Sequence, residues 1–188
     1  MTTMTKDAPK APAKVLWQID PTHAHLEFAV KHLMINTVRG KFTDVKGTVH
    51  LDPADLSTAE ADVTIATTSV QTGVEQRDQH LRSADFFDVE KFPTITFKSR
   101  KATELTEDNY TLLGDLTVHG VTQPVHLTVT PEGSVKDPWG GERMAFSARG
   151  KLNRKDFGLV WNMLLEAGGV AVADEVKLTI EVELVKQK

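Results

Sequence analysis

The stretch Val176-Lys177-Leu178-Thr179-Ile180-Glu181-Val182-Glu183-Leu184 decides the fold class. Every second residue is aliphatic, and the residues between are polar or charged. Successive side chains of a strand point to opposite faces, so this pattern makes one apolar and one solvated face. The same period recurs upstream. Leu26, Phe28 and Val30 alternate with Glu27, Ala29 and Lys31, and Val63 and Ile65 with Asp62 and Thr64. Ile95 and Phe97 alternate with Thr94, Thr96 and Lys98, Val125, Leu127 and Val129 with His126, Thr128 and Thr130, and Met144, Phe146 and Ala148 with Ala145, Ser147 and Arg149. Parallel strands are covered on both faces and read as continuous apolar runs, so the alternation predicts an antiparallel architecture.

Turn signals separate these runs: Asp52-Pro53, Glu107-Asp108-Asn109, His119-Gly120 and Asp137-Pro138-Trp139-Gly140-Gly141. His119-Gly120 suits a two-residue hairpin loop with positive φ at both positions. About eight strands of roughly 6–12 residues result, enough to close into a barrel that encloses one small ligand and leaves no exposed edge. Two segments depart from the period of two. Residues 73–83 place Val74, Arg77 and Leu81 at helical spacing and predict a helix running into Phe86-Phe87, and a short helical turn is expected at Asn153–Phe157. The predicted fold is therefore all-β: an eight-stranded antiparallel barrel with one helix.

Composition narrows the function. The chain has 188 residues, 40% of them hydrophobic and 26% charged, with a formal net charge of −4. That content supports a sizeable core and gives no reason to expect nucleic-acid binding. There is no apolar run of ~18 residues to span a membrane as a helix. The chain has no cysteine, which removes disulfides, thiol catalysis and cysteine metal sites. Residues 1–14, rich in Thr, Ala, Pro and Lys, are expected to be a disordered tail preceding a barrel domain at 15–188. No apolar leader of ~7–15 residues is present, so the chain as written is expected in the cytoplasm, or in the periplasm if a leader is missing.

No nucleophile elbow, phosphate-binding glycine loop or HExxH pattern occurs, and no catalytic residue is assigned. His23 and His25, two apart on a strand, have the spacing of a zinc clamp, which would need a third ligand such as His32, His50 or a carboxylate. The plainer reading is polar residues opening a strand, and no metal site is assigned. The densest polar cluster, Arg77-Asp78-Gln79-His80-Leu81-Arg82, has three readings: a solvated helix face, which the spacing favours; a head-group site at a cavity mouth; or a tie between helix and barrel rim. Phe86-Phe87 either plugs one barrel end or lines an entrance. Phenylalanines at inward positions either fill the barrel or line a ligand cavity.

Taken in order, these motifs resemble the YceI family. The resemblance is carried by Trp17-Gln18-Ile19-Asp20-Pro21 with His23, His25, Phe28 and His32, then Arg39-Gly40-Lys41-Phe42 and Gly47. Thr72-Gly73, Arg77-Asp78-Gln79-His80-Leu81, Asp85-Phe86-Phe87-Asp88-Val89 and Phe92-Pro93-Thr94-Ile95-Thr96-Phe97-Lys98-Ser99 follow. Gly114 to Thr122, Arg154-Lys155-Asp156-Phe157-Gly158-Leu159 and Asp174-Glu175-Val176 complete it, over roughly residues 15–185. The resemblance implies a lipocalin-like barrel with a helix capping one end, and a homodimer. It implies no cofactor but a long amphiphile in an apolar tunnel: a polyisoprenoid, isoprenoid quinone or fatty amide. The expected chain-lining residues are Phe28, Val30, Phe42, Ile65, Phe86, Phe97, Phe146 and Phe157, with Arg77 and His80 near the head group. The alternatives are a filled barrel serving as an interaction module, and an enzyme on a lipophilic substrate using His23, His25 or His80.

Overall fold

The computed structural model describes residues 14–166 and 168–188. Its strands are β1 (Val15–His32), β2 (Asn36–Phe42), β3 (Val45–Asp52), β4 (Asp55–Ala66), β5 (Val70–Gln71), β6 (Thr94–Thr103), β7 (Tyr110–Val118), β8 (Val121–Lys136), β9 (Glu142–Asn153) and β10 (Val172–Lys186). Among the described residues the one α-helix, α1, spans Glu75–Arg82, and 3-10 turns lie at Thr67–Ser69 and Arg154–Phe157. The tail assigned to residues 1–14 lies outside the described residues except for Lys14, whose ammonium pairs with Glu60.

All pairings are antiparallel, and β10 pairs with β1 to close the sheet. Two pairs of segments are bent single strands. β1 pairs with β3 through Val15–Gln18 and with β2 through Leu26–His32, so β2 and β3 together form one partner. β4 and β5 are likewise one partner, interrupted by the 3-10 turn, since β4 pairs with β3 and β5 with β2. The closed ring is thus eight-stranded, as the alternation predicts: β1, β2/β3, β4/β5, β6, β7, β8, β9 and β10.

The alternation sets which side chains turn inward. In β7, Tyr110, Leu112, Gly114, Leu116 and Val118 are buried while the residues between them are half-exposed. Val125, Leu127, Val129, Met144, Phe146 and Ala148 continue that inner surface on β8 and β9. Trp17, Leu51 and Leu184, each at most 2% exposed, close the barrel at the end where β1 begins and β10 ends. The β7–β8 hairpin has positive φ at His119 (52°) and Gly120 (73°), which matches the primed turn expected there. A Cβ on Gly120 would lie 2.6 Å from the Phe92 ring, so close packing as well as φ requires glycine.

One departure lies in β1. Ile19 faces Leu184 of β10, but Ala24 faces Val182, so five residues of β1 span two of β10. This bulge lifts Asp20 to His23 out of the ladder, where a strict period of two would have kept His23 and His25 on one face.

Candidate functional site

The inner faces of the strands enclose a cavity of about 460 Å3. That lies within the range of small-molecule sites, roughly 300–1,000 Å3. Its wall is aliphatic and aromatic, including Leu26, Leu112, Leu127, Leu178, Ile180 and Val182. All ten residues singled out from the sequence border it: Phe28, Val30, Phe42, Ile65, Arg77, His80, Phe86, Phe97, Phe146 and Phe157. The barrel is therefore not filled by its own side chains.

Apart from Tyr110, the polar residues that border the cavity lie toward one end. His32 of β1, Arg77 and His80 of α1, and Arg154 border the cavity there, and the outward-facing Glu27 and Lys31 of β1 meet its edge. The opening follows from the strand pairing. β2 meets β5 only at Lys41 and Phe42, so residues 36–40 have no neighbouring strand on that side. Val38 beside this gap, and Arg77 and His80 of α1, border the cavity. A smaller recess lined by Val74, Gln76, Arg77 and His80 adjoins it.

The cap is fixed at Thr72 and at the carbonyls of Thr68 and Val70. Arg77 donates from Nε to Thr72 Oγ1 (2.7 Å) and from Nη2 to the Thr72 carbonyl (2.9 Å). Asp78 accepts from the Thr72 amide (2.8 Å) and hydroxyl. Arg82 donates to the carbonyls of Thr68 and Val70. Asp78 is buried. The solvated helix face favoured by spacing is thus corrected: Arg77, Asp78 and Arg82 tie α1 to the strand end beside it, because the chain turns back on itself at Thr72-Gly73.

Phe86 and Phe87 both cover the opening and line it. Phe87 packs edge-on against Phe42 (5.6 Å between centroids), which in turn meets Phe28 at 5.8 Å. Phe86, His80 and Trp161 form a mutual cluster with centroid separations of 4.7–5.2 Å. His80 Nε2 lies 2.8 Å from Asp85 Oδ2, which orients the imidazole edge-on to both rings.

Sequence reading missed Trp161 and the role of Arg154. Trp161 lies between the 3-10 turn and β10, where the sequence has no periodicity to assign it a face. Arg154, 3% exposed, donates from Nη1 to the carbonyls of Leu159 (2.6 Å) and Trp161 (2.8 Å), and from Nε to Ala173 (2.9 Å). Nη2 reaches Val172 O at 3.3 Å, and Asp174 lies 3.6 Å away. Burial lowers the affinity of this guanidinium for its proton, and the nearby Asp174 charge opposes that shift. The 3-10 turn expected at Asn153–Phe157 is what aims Arg154 inward, with Asn153 capping it through Lys155 N. Leu159 and Trp161, whose backbone Arg154 holds, both border the cavity. Tyr110 borders it at the other end, its hydroxyl pushed up to about 12 by burial.

The histidine clamp does not form. His23 Nδ1 lies 3.1 Å from Asp20 Oδ2, and with Glu183 these make the one His/Asp/Glu trio of metal-ligand spacing among the described residues. The Arg143 guanidinium already occupies that position, pairing with Asp20, Glu183 and Asp137. His25 is exposed and faces Glu181 on the barrel exterior. Asp20 is held well below the usual carboxylate range, chiefly by the Thr22 hydroxyl and then by His23, the Thr22 amide and Arg143, with burial opposing.

A closed eight-stranded antiparallel barrel with a helical cap and an apolar interior cavity is a lipocalin-like barrel. The YceI-like domain model matches residues 17–184, and the chain belongs to the YceI family. Protein YceI of Salmonella newport (strain SL254) is 42% identical over 166 residues, which cover 88% of this chain and 83% of that protein. Among solved structures, the Campylobacter jejuni YCEI protein superposes with a TM-score of 0.72 at 34% identity, covering 84% of this chain and 90% of that one. Two more distant structures share the fold. Burkholderia cenocepacia BcnA has a TM-score of 0.77 at 22% identity, covering 88% of this chain and 98% of that one. A Saccharophagus degradans polyisoprenoid binding domain implicated in plant cell wall breakdown has a TM-score of 0.67 at 16% identity, covering 92% and 99%.

Proposed function

We propose that the barrel binds one long-chain amphiphile, an isoprenoid or acyl lipid, with its chain inside and its polar head at the Arg77–His80 end. The observation that carries this reading is the cavity itself: about 460 Å3, apolar along its length, with its charged side chains gathered at one end. An amphiphile has the same division. Burying ~400 Å2 of prenyl or alkyl surface at ~25 cal/mol per Å2 gives roughly 10 kcal/mol before ordering costs. Retention of such a ligand needs neither a metal nor a catalytic group, so binding rather than turnover is the proposed activity. The polyisoprenoid binding named for the Saccharophagus degradans domain supports the same ligand class. A role in transport, storage or stress protection, and a homodimer, are carried over from the family resemblance.

Phe28, Val30, Phe42, Ile65, Phe97, Phe146 and Phe157 form the proposed chain-binding wall, and Phe86 covers its open end. Arg77 has one guanidinium nitrogen, Nη1, outside its bonds to Thr72, and this is the proposed donor to the head group. The test is mass spectrometry of the organic extract, with native mass spectrometry of the same purified protein. A prenyl or acyl species at one per barrel is expected, or uptake of added isoprenoid by an empty barrel. A protein that is empty and also refuses isoprenoid and acyl lipids overturns the proposal.

A further inference from the structure

Of the eleven large hydrophobic residues that stand exposed among the described residues, seven belong to the capped end: Leu33, Met34, Ile35, Val74, Val160, Met163 and Leu164. Six of these come from two segments that touch. The Leu33 amide donates to the Ala171 carbonyl (2.9 Å), and the Ala171 amide to the Met163 carbonyl (2.9 Å). The β1–β2 hairpin tip and the 158–171 segment therefore form one apolar projection. Ile35 is 83% exposed and Leu164 86%.

The tip is built against local preference. The Ile35 amide donates to the His32 carbonyl across a turn whose central residues, Leu33 and Met34, have φ of 50° and 60°. Glycine and asparagine are the residues that accept this conformation cheaply, and bulky side chains there are unusual. The β7–β8 hairpin of the same barrel uses His-Gly at the corresponding place. A strained turn that exposes large apolar side chains gains nothing for the fold, which points to a use outside it.

The surroundings choose the occupant. The projection is continuous with the cavity opening: Val160 lies between Leu159 and Trp161, which border the cavity, and the tip follows Lys31 and His32, which border it as well. Behind the tip, the outward face of the β1–β2 ribbon carries Lys31, Arg39 and Lys41, all exposed and none paired with a carboxylate among the described residues. Glu27 is the acidic residue of that ribbon, and Glu166 that of the 158–171 segment. Apolar tips backed by free cations fit a bilayer with anionic head groups, with the tips in the acyl boundary and the cations at the phosphates.

We propose that the capped end of the barrel docks on an anionic membrane surface through Leu33–Ile35 and Val160–Leu164, with the cavity opening facing the bilayer. The proposal rests on the lipid-binding reading, because a barrel that loads from a membrane needs its opening to meet the acyl phase. Docking predicts that full-length protein sediments with vesicles of phosphatidylcholine and phosphatidylglycerol, and less with phosphatidylcholine alone. Ile35→Asp combined with Leu164→Asp should lower vesicle binding about tenfold or more, the factor expected from losing buried aliphatic side chains. Met34→Gly separates docking from folding: it relieves the positive φ, so thermal stability should rise while vesicle binding falls. Trp139→Ala, at the opposite end, should change nothing. Absence of vesicle binding by the native protein, or equal binding by the double variant, overturns docking, and so does a double variant whose only change is to fall from dimer to monomer. Isoprenoid uptake in vesicle-free solution is scored in parallel. Uptake without vesicle binding refutes docking alone, whereas vesicle binding by a barrel that takes up no lipid refutes the ligand assignment alone.

Discussion

Arg154→Met tests how the roof of the cavity is held. The guanidinium bonds four backbone carbonyls, those of Leu159, Trp161, Ala173 and Val172, at 2.6–3.3 Å. Hydrogen bonds to a charged group are worth about 1.5–3 kcal/mol each, a gross loss of roughly 6–12 kcal/mol. Methionine removes the several kcal/mol that desolvating the guanidinium costs, leaving a net destabilisation of about 3 kcal/mol. In a domain of this length that is a fall in Tm of roughly 6–12 °C. The loss is local, because Arg154 joins the carbonyls of Leu159 and Trp161 to those of Val172 and Ala173 at the start of β10. Release of a preloaded lipid to an acceptor should therefore accelerate about tenfold or more, the factor equivalent to 1.4 kcal/mol. Arg154→Lys keeps the charge but has three donors on a single nitrogen, and should fall between. Differential scanning calorimetry and stopped-flow transfer to acceptor vesicles read the two effects. A Tm within about 2 °C of the native value, or an unchanged release rate, would refute the clamp.

Phe97 is buried on the cavity wall. Phe97→Asp places an unpaired carboxylate there, at a cost of about 4 kcal/mol or more, and should abolish retention of an apolar ligand; a folded variant that still co-purifies with lipid removes Phe97 from the wall. A Cβ on Gly40 would collide with the Phe28 ring and lie 2.9 Å from Thr72 Cγ2. Gly40→Ala should therefore cost about 1–3 kcal/mol and weaken lipid uptake by driving Phe28 inward, as urea titration and ligand titration would show. Asp20 binds its proton more weakly folded than unfolded, so it adds stability above the ordinary carboxylate value of about 4 that is lost as pH falls below it. Thr22→Val removes the largest cause of that shift and should flatten the acid limb of a urea-midpoint profile between about pH 4 and 2; an identical profile in the variant counts against this assignment.

Much of the barrel was legible in the chain. The period of two in β8 to β10 fixes which side chains face inward, and that inner face is the cavity wall. His119-Gly120 declared its turn because positive φ at two adjacent positions restricts residue choice. The helix and the Arg154–Phe157 turn were legible for the same local reasons. The phenylalanines on the inner face followed from strand alternation. What filled the space between them did not, because a packed interior and an open one demand the same alternation.

Tertiary structure decided the rest. Arg77 and Asp78 sit on a helix whose spacing suggests solvent exposure, yet both converge on Thr72, a contact created by the chain reversing between β5 and α1. His23 and His25 looked like a matched pair until the β1 bulge separated them, and only the folded barrel brings Arg143 to Asp20, a separation of 123 residues. Trp161 and Arg154 acquire their roles from an irregular segment packed over the barrel end, where neither period applies. Alternation and turn chemistry are local, so the sequence alone determined the strands, their inward faces and the closure they favour. The cavity, its opening beside β2 and the clamp on its roof depend on residues distant in the chain. Their positions are set by how the strands pair and where that pairing stops.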